Sequence, residues 1–226
     1  MNPHWYLLNS GPGEPALNMA IDEALLLGVA RLERPVLRFY GWTEPAATFG
    51  YFQAYDAIAR WTPLRPLIRR PTGGGLVPHL SDWTYSIAIP PTHGWFELAA
   101  QASYRAVHEW IRQAFLLLGV ETVLAPEARH DVPGQCFVGA EKSDLLWRGR
   151  KIAGAAQRRN RHGLLIQGSV QHQPPGTLRE PWQAAMRQAG SAAMGVAWTD
   201  WAPDLLDSAN ELAAQKYRQP AFNQKR

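Results

Sequence analysis

The chain has 226 residues, 46% hydrophobic and 19% charged, with a formal net charge of +4, which excludes a disordered chain and leaves room for one large domain or two small ones. No apolar run approaches the roughly 20 residues a membrane helix needs, and Met1–Asn2–Pro3–His4–Trp5–Tyr6 has no basic stretch followed by an apolar one, so neither a membrane partner nor a signal peptide is expected. The lone cysteine, Cys136, excludes an intramolecular disulfide and fits a reducing cytoplasm.

In chain order, Pro15 to Ala30 reads as an amphipathic helix with Leu17, Ile21, Ala24, Leu25 and Gly28 on one face. Val36–Trp42 and Ala47–Phe52 read as short strands around a Thr43–Glu44–Pro45 turn. Trp83–Ile89 alternates as a strand. Phe96–Leu118 is expected to be one long helix, with Leu98, Ala102, Ala106, Trp110, Ala114, Phe115 and Leu118 inward and Gly119 as its stop. Asp144–Trp147 and Lys151–Gln157 flank Arg148–Gly149–Arg150 as a hairpin, and Gly163–Gln171 continues as a strand. Two tail helices are expected, about Pro181–Ala189 and Pro203–Tyr217. Hairpins mixed with helices give the class α+β, around a mixed, mostly antiparallel sheet.

Two segments carry chemistry. In Arg69–Arg70–Pro71–Thr72–Gly73–Gly74–Gly75, glycines let a ligand approach the main chain, N–H groups of such turns bind anions, and arginine grips phosphate or carboxylate. An ordinary hairpin turn with solvated arginines is the competing reading. In Gly149–Arg150–Lys151–Ile152–Ala153–Gly154–Ala155–Ala156–Gln157, small residues let a ligand lie along the strand. Lys151 would then put a compact cation at a carbonyl or phosphate oxygen; a solvated surface lysine is the plainer alternative.

With Asn18–Met19–Ala20–Ile21–Asp22–Glu23–Ala24–Leu25 and His79, these motifs resemble the lipoate–protein ligase A and octanoyltransferase group of the biotin/lipoate protein ligase superfamily. The resemblance runs from about Asn9 to Val170 and resumes weakly at Lys216–Tyr217 and Phe222–Asn223. It implies a single catalytic domain over residues 1–226, without an accessory C-terminal domain, that attaches lipoate or octanoate to one lysine of an apo lipoyl domain or a glycine-cleavage H-type carrier. It implies that Arg69, Arg70, Thr72, Gly73, Gly74, Gly75 and His79, with Gly154 and Ala155, bind the acyl substrate. Lys151 would stabilise charge on the attacked oxygen.

The family offers two mechanisms. A ligase uses ATP and Mg²⁺ to make an acyl-adenylate, and Ser143–Asp144–Leu145 resembles the ligases' adenylate-holding segment; that route is the main expectation. A transferase takes octanoyl from acyl carrier protein through a cysteine thioester, and Gln135–Cys136–Phe137 sits where those enzymes carry Cys-Phe. A buried, inert cysteine is the commoner case, and Asp144 would equally cap its strand or pair with Arg158. A non-catalytic carrier-binding scaffold is the alternative from another class, and a biotin ligase shares the fold. Two departures from the family stand out: Leu80 follows His79, with Asp82 two residues further on, and Ile166–Gln167–Gly168 replaces a His-Gly.

The remaining signals are weaker. Asp22 and Glu23 read as capping or orienting the first helix. His79 reads as a base or as a tie for the loop. His130–Asp131 ahead of Cys136 is a conceivable thiol-activating pair, loop solvation being the plainer reading. The other histidines lack metal-ligand spacing, so no metal site is expected. Arg148, Arg150, Lys151, Arg158, Arg159 and Arg161 show no recognition-helix pattern, so no nucleic-acid partner is expected; a basic face that steers an acidic protein explains them equally well, and a solvated face is the plainer reading for Arg159 and Arg161.

Overall fold

The computed structural model describes residues 3–129, 139–201 and 205–225. Its centre is an eight-stranded sheet. At one edge lies β11 (Ala197–Asp200), next to β1 (His4–Gly13), which is parallel to it and, on its other side, to β2 (Val36–Trp42). Antiparallel pairing then runs from β2 through β6 (Trp83–Ile89), β10 (Gly163–Val170), β9 (Arg150–Asn160) and β8 (Leu145–Trp147) to β7 (Val123–Leu124). A second sheet has β3 (Ala46–Phe49) between β4 (Leu67–Arg69) and β5 (Val77–His79).

Both faces of the large sheet are covered, which is why β6 and β10 are buried at every position. Alternation sorts their side chains. Phe39, Trp83, Tyr85, Ile87, Leu164 and Ile166 point into the larger core. It is closed by α4 (Ala100–Leu117) and α5 (Arg179–Met194), through Val107, Trp110, Ile111, Phe115, Trp182 and Met186. On the opposite face lies α1 (Pro15–Leu32), with Pro15 in its first turn, where the missing N–H costs nothing. Leu25 and Val29 pack there on Val36 and Ala88.

Several boundaries move from expectation. The helix expected over Phe96–Leu118 is two: α3 (Gly94–Glu97), then extended backbone at Leu98 and Ala99, then α4. The side chain of His93 caps α3 by accepting from Trp95 N–H, and Trp95 packs edge-on against Trp5 and Trp110. Tertiary aromatic packing thus sets where the chain bends. The inward face of α4 is Ser103, Val107, His108, Trp110, Ile111, Ala114 and Phe115, whereas Ala102 is exposed. Strand β3 stops at Phe49 because Gly50–Gln53 forms a turn closed by Gln53 N–H to the Gly50 carbonyl. The short helix α2 (Tyr55–Trp61) follows. In the tail, α6 (Leu206–Leu212) runs into a π-helical turn at Ala213–Tyr217 and then α7 (Pro220–Asn223); Pro203 lies outside the described residues.

Asp22 and Glu23 are not caps. Both sit inside α1 and are buried. Asp22 accepts from Arg38 (2.7 Å), Ser86 (2.6 Å), Tyr40 (2.9 Å) and Gln167 (2.7 Å). Four donors on one carboxylate satisfy a charge that would otherwise be costly to bury. Glu23 accepts from Lys216 and from Tyr217, tying the tail to α1.

Candidate active site

A cavity of about 810 Å³ opens where the glycine loop, β9, β10 and α4 meet. That is within the roughly 300–1,000 Å³ of small-molecule sites. Its wall includes Arg70, Gly74, Gly75 and His79 from the loop side, and Asp144, Lys151, Gly154 and Ala155 from the strands. The structure therefore brings the two sequence motifs into one pocket.

Lys151 lies on β9 with its Nζ 2.7 Å from Asp144 Oδ2, and both side chains are nearly buried. The same Asp144 oxygen accepts from Glu141 N–H at 2.7 Å. The pairing expected between Asp144 and Arg158 is absent; Arg158 instead approaches Glu23 at 3.9 Å. The absence of a side chain at Gly154 matters: a Cβ there would lie 2.6 Å from Lys151 Cε and 2.8 Å from Nζ. The lysine stem folds across this gap, so the ammonium is fixed over the strand.

The glycine loop is held from within. Arg70 donates from Nε and Nη2 to the Gly73 carbonyl and from Nη2 to that of Gly75, and its Nη1 lies 3.4 Å from Thr48 Oγ1. Its guanidinium reaches the pocket but spends its fork on the loop's own carbonyls. Thr72 is fully buried and donates to Gln167 Oε1 at 2.7 Å. Neither Thr72 nor Gly73 is among the wall residues. Gln167, which replaces the family's histidine, lines the cavity and joins Thr72 to Asp22.

Arg69, expected to bind the substrate beside Arg70, is not part of the cavity wall. It is fully buried and faces away from the cavity. Its guanidinium donates to the carbonyls of Tyr51, Gln53, Phe222, Asn223 and Lys225, and its N–H donates to Asn223 Oδ1. It clamps the C-terminal tail rather than lining the cavity. The two adjacent arginines thus point to opposite sides of β4's end.

His79 bridges two partners: Nδ1 is 2.9 Å from Asp82 Oδ2 and Nε2 is 2.9 Å from Thr48 Oγ1. Trp42 stacks on its ring with centroids 3.8 Å apart. Burial pushes Asp82 up, but His79, Ser169 and Thr84 together outweigh it and hold the carboxyl below its usual range. Asp82, two residues beyond the expected position, thus serves to orient His79.

Cys136, with His130 and Asp131, lies outside the described residues. Arg129 and Ala140 exchange backbone hydrogen bonds at 2.7 and 2.8 Å, and Ala128 and Gly139 line the cavity. Sequence reasoning noted Asp22 and Gln167 without foreseeing the buried network they share, and it gave His108 no place in the site. Asp22 and His108 look like surface residues of amphipathic helices, and only their burial inside apolar faces marks them.

The model of the lipoyl protein ligase A/B catalytic domain matches residues 14–176. Octanoyltransferase LipM of Staphylococcus aureus is 35% identical over 183 residues, 75% of this chain and 66% of that protein. Octanoyltransferase LipM of Bacillus subtilis is 33% identical over 181 residues, 74% of this chain and 64% of its own length. The matches thus take in less than two thirds of those relatives. Among solved structures, protein Ta0514 of T. acidophilum, described as a lipoate protein ligase, superposes with a TM-score of 0.82 at 20% identity, over 98% of this chain and 99% of that one. A lipoate-protein ligase A bound with ATP does so with a TM-score of 0.80 at 21% identity, covering 98% of each chain. At such identities these neighbours establish the fold: an α+β domain with a mixed sheet flanked by helices.

Proposed function

Because the chain belongs to the lipoyl protein ligase A/B catalytic domain family, we propose that it transfers octanoyl from an acyl carrier protein thioester to one lysine of a lipoyl carrier domain, through a thioester on Cys136. The observation that carries this choice over the ATP-dependent ligase route is the identity of about one third, across three quarters of the chain, with proteins named octanoyltransferase. The pocket supports it. Asp144, the residue expected to serve an adenylate and its Mg²⁺, is already neutralised by Lys151 and by Glu141 N–H.

In this reading the Cys136 thiolate attacks the donor's thioester carbon, forming a new C–S bond as the carrier's thiolate leaves and takes up a proton. The amine of the acceptor lysine, in its neutral form, then attacks that carbon. The amide bond forms, the C–S bond breaks, the Cys136 thiolate is regenerated and the amine's proton passes to solvent. Both additions put negative charge on the carbonyl oxygen. Lys151, fixed by Asp144 and by the gap at Gly154, supplies the opposite charge in a site already shielded from water.

A two-donor assay tests the proposal. An apo lipoyl domain is incubated with octanoyl-acyl carrier protein alone, or with lipoate, ATP and Mg²⁺, and its mass is followed. Mass gain from the thioester donor, lost in Cys136→Ala, is expected. Gain only with ATP, undiminished by Cys136→Ala, refutes the transferase in favour of a ligase. No gain from any donor leaves a carrier-binding scaffold.

A further inference from the structure

We propose that His108 is a hydrogen-bonding contact for the acyl substrate's carbonyl end, sharing with Lys151 the task of orienting it. The inference rests on the acyl-pocket reading above and adds a residue on α4 that no sequence motif announced.

His108 lies on the side of α4 that also presents Gln101 and Tyr104 to the cavity. Its neighbours on the helix, Val107 and Ile111, point into the larger core. The ring is 1% exposed, and neither Nδ1 nor Nε2 has a hydrogen-bond partner. A neutral imidazole has one donor and one acceptor, and buried polar groups almost always find partners. A ring with both nitrogens unused in the wall of a cavity is therefore a feature that a bound molecule completes.

The surroundings specify which part of the molecule. The charged groups that face the ring are Asp144 and Lys151, on β8's approach and on β9. They are paired with each other at 2.7 Å, and Asp144 is further engaged by Glu141 N–H. The Ser143 carbonyl favours protonation of the ring without meeting hydrogen-bond geometry. Burial keeps the ring in its neutral form at neutral pH. A neutral N–H near an ammonium, at the end of the small-residue stretch of Gly154 and Ala155, suits a carbonyl oxygen. An apolar side chain of similar size would fill the space as well but would recognise nothing.

The test uses the full chain and octanamide, an unreactive probe that keeps the acyl chain and the carbonyl. Its Kd is measured by calorimetry for the wild type, His108→Leu and His108→Gln, with thermal melting of each as a folding control. His108→Leu is expected to weaken octanamide about tenfold, as for one lost hydrogen bond, while His108→Gln, which retains an N–H donor, stays within about threefold. The ring ¹⁵N resonances of His108 should shift on adding octanamide. Undiminished binding by folded His108→Leu, or ring nitrogens that do not move on saturation, overturns the proposal; the second result identifies a space-filling role or a trapped water. Failure of the wild type to bind octanamide overturns the acyl-pocket reading itself.

Discussion

At the scale of single residues, Lys151 and His108 make separable predictions. Lys151→Ala should lower kcat for acyl transfer about 10²–10³-fold, the range for removing one donor to a developing oxyanion. It also strands Asp144 as a buried, unpaired carboxylate, which destabilises the fold by about 3–5 kcal/mol. The double variant Lys151→Ala/Asp144→Asn should recover most of the melting temperature but none of the rate. Full recovery of rate removes Lys151 from the chemistry. His108 gives a pH signature. Burial, reinforced by Lys151 and opposed by Asp144 and Ser143, lowers its pKa from 6.5 to about 4. The unfolded chain thus binds a proton between about pH 6.5 and 4 that the folded chain refuses, so folding stability falls as pH falls through that window. His93 and His172, also lowered by burial, add to the same sign. In urea melts at pH 7 and pH 4, His108→Gln should lose less stability than wild type, by about 3 kcal/mol at most; equal losses contradict the burial argument.

At the scale of elements, the glycine loop depends on a neighbouring turn. Arg70 N–H bonds to the Phe49 carbonyl and Tyr51 N–H to the Thr72 carbonyl, so β3's end and the loop run side by side. A Cβ on Gly50 would lie 1.9 Å from the Gly74 carbonyl oxygen and 3.1 Å from Gly73 C. Both obstacles are backbone, so one strand must move. Gly50→Ala should destabilise by about 1–3 kcal/mol, as overpacking does, and should raise KM by shifting Gly74 at the pocket wall. An unchanged KM and melting temperature would show that the loop is free to relax. The same segment shows what a sequence discloses. The loop, Lys151 and the small residues after it are legible because their chemistry is written within seven to nine consecutive positions. The opposite duties of Arg69 and Arg70 are not, because three of Arg69's partners, Phe222, Asn223 and Lys225, lie about 150 residues away. Likewise β1 and β11, parallel partners nearly 200 residues apart, carry no local signal of their pairing. The bend between α3 and α4 is set by Trp5 and Trp110 rather than by the residues that bend.

At the scale of the whole molecule, the C-terminal segment works as a strap. It crosses α1, where Lys216 and Tyr217 hold Glu23, and packs against the root of the glycine loop, where Asn223 Oδ1 accepts from the Arg69 N–H and the Phe222, Asn223 and Lys225 carbonyls accept from its guanidinium. None of these tail residues lines the cavity, yet the tail fixes the strand from which the loop departs. Deleting residues 220–226 removes no described residue of the cavity wall but leaves the Arg69 guanidinium with three carbonyl partners gone. Leaving a charged donor unsatisfied costs more than the bond was worth, whereas removing both sides costs little. The deletion should therefore lower stability by about 2–5 kcal/mol, read as a fall in melting temperature of roughly 2–4 °C per kcal/mol for a domain of this size. Adding Arg69→Met to the deletion should restore part of that loss, even though Arg69→Met alone is destabilising in the intact chain. Simple addition of the two losses would mean that Arg69 and the tail act independently. If the strap serves the loop, octanamide affinity should fall with the deletion and return in step with the melting temperature.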